Sequence, residues 1–116
     1  MRELLINPVG LYMTAAIRII IPWGLNMRLW QGTPGDYRGL TAAREADAPH
    51  GTVVLFHGNG GTALDRGFYL PPLMRRGFRV ILAEYPRYGG RPGRLGEEPF
   101  VADGRETVRR AYAQYG

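Results

Sequence analysis

Two stretches near the middle of the chain show no alternation of apolar and polar positions. Residues 52–56 read TVVLF and residues 79–85 read RVILAEY, β-branched and apolar almost throughout. A strand wetted on one face alternates, whereas a strand buried on both faces does not. Both runs are therefore expected as interior strands. Between them, residues 63–76 carry a helical pattern that Pro71 and Pro72 must break or restart, with Gly77 as its stop. Residues 98–115 place Val101, Val108, Ala111, Tyr112 and Tyr115 on one helical face. Glu97 and Glu98 precede that helix and Arg109 and Arg110 lie near its end, both suited to the helix dipole. Residues 27–30 and 38–42 read as short strands around the turn-like segment QGTPGDY. Strand, helix, strand, helix predicts an α/β fold: a mainly parallel sheet with flanking helices and right-handed crossovers. No internal repeat or linker divides the chain.

Residues 1–26 form a separate, largely apolar arm, and residues 27–116 form the domain. The arm is interrupted by Asn7, Pro8, Arg18 and Pro22. A membrane span needs roughly 20 apolar residues, and a central arginine costs it several kcal/mol. Glu3 follows Arg2, and no small-x-small cleavage site marks a signal peptide. An arm packed on the domain is the favoured expectation and membrane contact the minority one, with a cytoplasmic location.

Composition removes several chemistries. The chain has 116 residues and no cysteine, so disulfides and thiolate metal sites are excluded. Two histidines, His50 and His57, leave little room for a zinc site, and no metal is expected. All 15 basic residues are arginine, and serine is absent as well as lysine. The net charge of +5 invites an anionic partner. The arginines are scattered, however, and Arg87, Arg91 and Arg94 have no aromatic ladder beside them. They read as a solvated loop, with no nucleic-acid partner.

The first apolar run ends in His57-Gly58-Asn59-Gly60-Gly61. Three chemistries place a glycine turn after a strand. The phosphate-binding P-loop needs a lysine, which this chain lacks. The dinucleotide fingerprint fits residues 58–63 as G-x-G-x-x-A, with Glu84 about 20 residues on to hold a ribose hydroxyl. Its helix must run unbroken from the third glycine, and Pro71-Pro72 stands against that. In acyl transfer, main-chain N–H groups face a carbonyl oxygen as it becomes an oxyanion. A glycine-lined turn after a buried strand suits that chemistry.

The third reading gathers further residues. VVLFHGNGG, the following YLPPLMRRGFRVILAEY and the turn Glu84-Tyr85-Pro86-Arg87-Tyr88-Gly89 resemble the serine hydrolases of the α/β-hydrolase superfamily. The resemblance covers about residues 27 to 116 and implies a partial α/β-hydrolase fold, incomplete on its C-terminal side. It gives Asn59 the role of oxyanion donor through its backbone N–H. His57, Gly58, Gly60 and Gly61 then shape the loop, and the helix with Asp103 resembles the one that precedes the nucleophile elbow. A nucleophile on G-x-S-x-G, an acid and a histidine should follow in that order, and none is present.

The expectation is therefore the N-terminal part of a hydrolase acting on an ester, thioester or amide. Its partner would be a small acyl substrate, with no organic cofactor. By itself the chain would be inactive and poorly soluble. A dinucleotide-binding module and a non-catalytic remnant are the alternatives. Among single residues, Glu84 reads as a strand-end acid bonded to the next turn, and His50 as exposed. Trp23 and Trp30 read as anchors for the arm, and Thr62 with Asp65 as a helix start.

Overall fold

The computed structural model describes residues 18–20, 26–45, 48–58 and 61–116. Among these residues five strands form one sheet: β1 (Arg18–Ile20), β2 (Asn26–Gln31), β3 (Tyr37–Ala42), β4 (Gly51–Phe56) and β5 (Phe78–Ala83). Their order across the sheet is β1-β2-β3-β5-β4. Among the described residues three of the four pairings are antiparallel and only β4–β5 is parallel. The sheet is thus mixed and mostly antiparallel, which overturns the expected α/β fold with a mainly parallel sheet.

The cause lies in the connections. A parallel return needs a crossover of about a dozen residues or more, whereas a short turn returns the chain antiparallel. Only residues 32–36 join β2 to β3, closed by Gly32 N–H to the Asp36 carbonyl at 2.9 Å and Asp36 N–H to that of Thr33 at 2.8 Å. The two unalternating runs do pair in parallel, from Gly51 opposite Phe78 to Phe56 opposite Ala83. They do not set the direction of the remaining strands.

The segment between β4 and β5 divides in two. A 3-10 helix, Leu64–Tyr69, leads into α1 (Leu70–Arg75), where proline occupies the first turn. There its missing N–H deprives no helical carbonyl of a partner, so the proline pair restarts the helix. Gly77 then stops it at φ +88°, and a Cβ there would lie 2.5 Å from the His50 ring. α2 (Glu97–Tyr115) closes the chain.

Period-two alternation sends each strand's side chains to two different cores. Met27, Leu29, Leu40, Val80 and Leu82 meet Ala63 and Leu70 on one face. On the other, Trp30 and Ile81 meet Ala111 of α2. The Trp30 Nε1–H donates to the Tyr115 hydroxyl at 3.1 Å, so this tryptophan ties β2 to α2. Within the segment read as an arm, β1 extends the sheet beside β2; residues 1–17 and Trp23 lie outside the described residues. Among the described residues no helix is long and apolar enough to cross a membrane.

Candidate functional site

Parallel pairing brings the C-terminal ends of β4 and β5 together, with Phe56 opposite Ala83. The next residue on each strand is chemically active: His57 after β4 and Glu84 after β5. In open parallel sheets ligands gather beyond the carboxyl ends of the strands, and β4–β5 is the pairing of this mixed sheet that shares that geometry. Here both residues are buried, at 3% and 2% exposure. They are held face to face, His57 Nε2 lying 2.5 Å from Glu84 Oε1.

The carboxylate of Glu84 also organises the chain around it. Its Oε2 accepts the Ala63 N–H at 2.8 Å, and its Oε1 accepts the Tyr85 N–H at 3.2 Å. Ala63 closes the glycine turn and Tyr85 opens the next one, so one acid clamps both. Gly89, at φ +56°, lies so close that a Cβ would meet Glu84 Oε2 at 2.6 Å. Only glycine permits that approach.

His57 is equally committed. Its Nδ1 lies 2.8 Å from the Gly58 carbonyl, which can only accept. With a carboxylate oxygen on the other nitrogen, both ring nitrogens are engaged and neither is open to a substrate proton. General-base chemistry needs a free lone pair. Tyr85 and Tyr88 stand edge-on to the imidazole at 4.6 and 5.3 Å, and Tyr85 stacks on Phe100 of α2 at 4.7 Å.

α2 is tied to the same turn by ions. Arg91 grips Asp103 with both terminal nitrogens, at 2.7 and 2.8 Å, and donates to the Glu84 carbonyl at 2.5 Å. From β3, Arg38 reaches Asp103 at 2.9 Å and the Thr107 hydroxyl at 3.1 Å. Arg91, read from sequence as part of a solvated loop, is 8% exposed and holds the turn to the helix. Sequence reasoning missed this role and that of Asp103. An i to i+12 arginine–aspartate spacing carries no local signal, because a loop intervenes.

Beside the buried pair lies an open groove of about 780 Å³. Phe56, Tyr85, Phe100, Val101, Gly104 and Val108 give it apolar walls, and Glu97, Arg105 and Arg109 lie at its edge. Two residues of the apolar stripe expected to bury α2, Val101 and Val108, are part of the wall of this groove. Val101 and Val108 are 47% and 48% exposed, whereas Ala111 of the same stripe is buried, together with Thr107.

Of the loop residues singled out from sequence, Asn59 and Gly60 lie outside the described residues. His57, Gly58 and Gly61 are described. Gly58 is exposed, and a Cβ there would touch nothing within 4 Å. Gly61 is different, since a Cβ would meet the guanidinium of Arg66 at 3.0 Å. The Asp65 carboxylate reaches back to the Thr62 N–H at 3.0 Å, which starts the 3-10 helix.

Two requirements of the dinucleotide fingerprint are unmet. The residues after Gly61 enter a 3-10 helix and a restart rather than one unbroken α-helix. Glu84, needed at a ribose, is buried and saturated by protein donors. No protein-family model, curated protein or solved structure matches this chain.

Proposed function

We propose that the turn after β4 serves acyl transfer, supplying main-chain donors for the oxyanion formed when an ester, thioester or amide is attacked. The observation that carries this reading is the Glu84 clamp, which holds the two ends of the donor turn through His57 and Ala63. Oxyanion stabilisation depends on donors aligned before the reaction, and removing one such donor costs about 10²–10³ in kcat. On this reading Asn59 donates through its backbone N–H, while His57, Gly58, Gly60 and Gly61 shape the turn. The groove beside Phe56 takes the apolar part of a small acyl substrate. No metal or organic cofactor takes part, and the setting is cytoplasmic.

The chain has no serine or cysteine, so the nucleophile of a serine hydrolase must come from outside these 116 residues. The reading frame beyond codon 116 provides the test. An in-frame G-x-S-x-G within about 15 codons supports the proposal, given the strand-to-elbow order of such enzymes. An immediate stop codon in the genomic sequence would count against it. A second test uses the 116-residue chain alone. It should leave p-nitrophenyl acetate untouched, and turnover abolished by Gly60→Val would show that a nucleophile had been overlooked.

A further inference from the structure

The guanidinium of Arg66 lies over the main chain of Gly61. An ideal Cβ on that glycine would stand 3.0 Å from Nη2, 3.2 Å from Nη1 and 3.4 Å from the central carbon. The planar cation thus occupies the space a side chain would take, at the edge of the donor turn. Its own acid is missing. Among the described residues the Arg66 side chain makes no hydrogen bond or ion pair.

Two acids of this region already have other partners. Asp65 is taken by the N–H and hydroxyl of Thr62, at 3.0 and 3.3 Å. Glu84 is shared by His57, Ala63 and Tyr85. By contrast, Arg38, Arg79 and Arg91 each have a carboxylate within 2.9 Å. Arg66 is half-buried, so its charge is partly stripped of water without a partner to replace it. Arginine presents five donors in a rigid fork that matches the paired oxygens of a carboxylate or phosphate.

We propose that Arg66 and the Gly61 main chain form a binding site for an oxyanion group, a carboxylate or a phosphate. If the acyl-transfer reading holds, the substrate at this turn carries such a group. That consequence rests on the proposed function, whereas the anion site does not. The absence of a side chain at Gly61 lets the cation lie this close, since a Cβ there would require the guanidinium to shift by a few tenths of an ångström.

The test is a ¹H–¹⁵N NMR titration of the whole chain with sodium phosphate and, separately, sodium acetate, each against sodium chloride at matched ionic strength. Saturable shifts at the Gly61 amide and the Arg66 Nε–H are expected. They should weaken about tenfold or more in Arg66→Gln and persist in Arg75→Gln, an exposed arginine on α1, because bidentate recognition is lost only in the first. Dispersed spectra of both variants establish that they fold. Unchanged affinity in Arg66→Gln, or equal shifts with chloride, overturns the proposal. The stronger of the phosphate and acetate responses identifies the preferred group. Anion binding in a chain whose reading frame lacks a nucleophile would leave this site standing and remove the acyl-transfer reading.

Discussion

β4 and β5 have the same length, pair with each other in parallel and both read as unbroken apolar runs, yet they occupy different environments. The last four residues of β5 are all buried, Ile81 and Leu82 completely. β4 has no buried residue, and Phe56 at its end is 37% exposed. β5 lies between β3 and β4, whereas β4 is at the edge among the described strands. An apolar run reports what a strand can tolerate on its two faces. Which strand lies beside it is decided by the connections. The functional residues follow the same division, with Glu84 on the interior strand as the hub and His57 on the edge strand as one of its partners.

The largest effect should come from breaking this hub unequally. Glu84→Ala strands three buried donors at once: His57 Nε2, the Ala63 N–H and the Tyr85 N–H. Each buried donor left without its acceptor costs about 1–3 kcal/mol, so the loss should reach about 3–5 kcal/mol. His57→Ala leaves Glu84 with two main-chain donors and should cost less, about 2–3 kcal/mol, mostly as lost packing against Tyr85 and Tyr88. Urea denaturation of the two variants decides the matter. Equal losses would mean that the histidine, not the acid, organises the turn.

Apolar truncation should separate the two strands by the next largest amount. Leu82→Ala empties a site of 0% exposure packed among Met27, Leu40 and Leu70, for about 3–4 kcal/mol. Its parallel neighbour Leu55 is only half-buried, and Leu55→Ala should cost about 1–2 kcal/mol. Similar midpoints in urea for both variants would show that something covers the β4 edge in solution.

Glycines test the same contrast with one added carbon. Gly39 on β3 faces Ala83, and a Cβ there would sit 2.3 Å from the Leu82 carbonyl oxygen. Gly39→Ala must push β3 away from β5, at about 1–3 kcal/mol. Gly104 in α2 looks across the groove to Phe56, where a Cβ would find ordinary contact at 3.4 and 3.5 Å. Gly104→Ala should therefore stabilise by about 0.5–1 kcal/mol, through helix propensity alone. Melting temperatures moving in opposite directions are the expected result.

Much of the site was legible because it is local. The turn after residue 56, the acid ending the next strand and the proline restart each depend on residues within a few positions of one another. Strand direction was not legible, since it depended on weighing a five-residue turn against a pattern of buried runs. Nor were the partners of Asp103, which lie 12 and 65 residues away. Val101, Val108 and Tyr112 kept the period of a buried helical face while remaining exposed, because periodicity tells which residues share a face but not what covers it. Arg66 gave no signal in a chain with so many arginines. Only its position over Gly61 and the commitments of the neighbouring acids distinguish it.

The smallest expected effect lies at the other end of the strand pair, where β5 begins. Arg79 bonds Glu45 at 2.5 and 3.2 Å, reaches Thr52 of β4 at 3.2 Å and lies 3.6 Å over the Tyr115 ring. The hydrogen bond from Arg79 holds the Glu45 carboxyl below its ordinary range; burial opposes this, and the charges of Arg79 and Arg28 add to it. A carboxyl whose folded pKa is depressed stabilises the fold above its unfolded pKa, and that contribution is lost as pH falls through the folded one. Glu45 is about a third exposed, so solvent screening keeps the gain below about 1 kcal/mol. Wild type should exceed Glu45→Gln in urea midpoint at neutral pH, and the gap should close from about pH 4 downward. Arg79→Ala also loses Thr52 and Tyr115, so its deficit should persist at low pH. A gap that widens on acidification would mean that the carboxyl is raised rather than lowered, and that this ion pair does not help join β4 to β5.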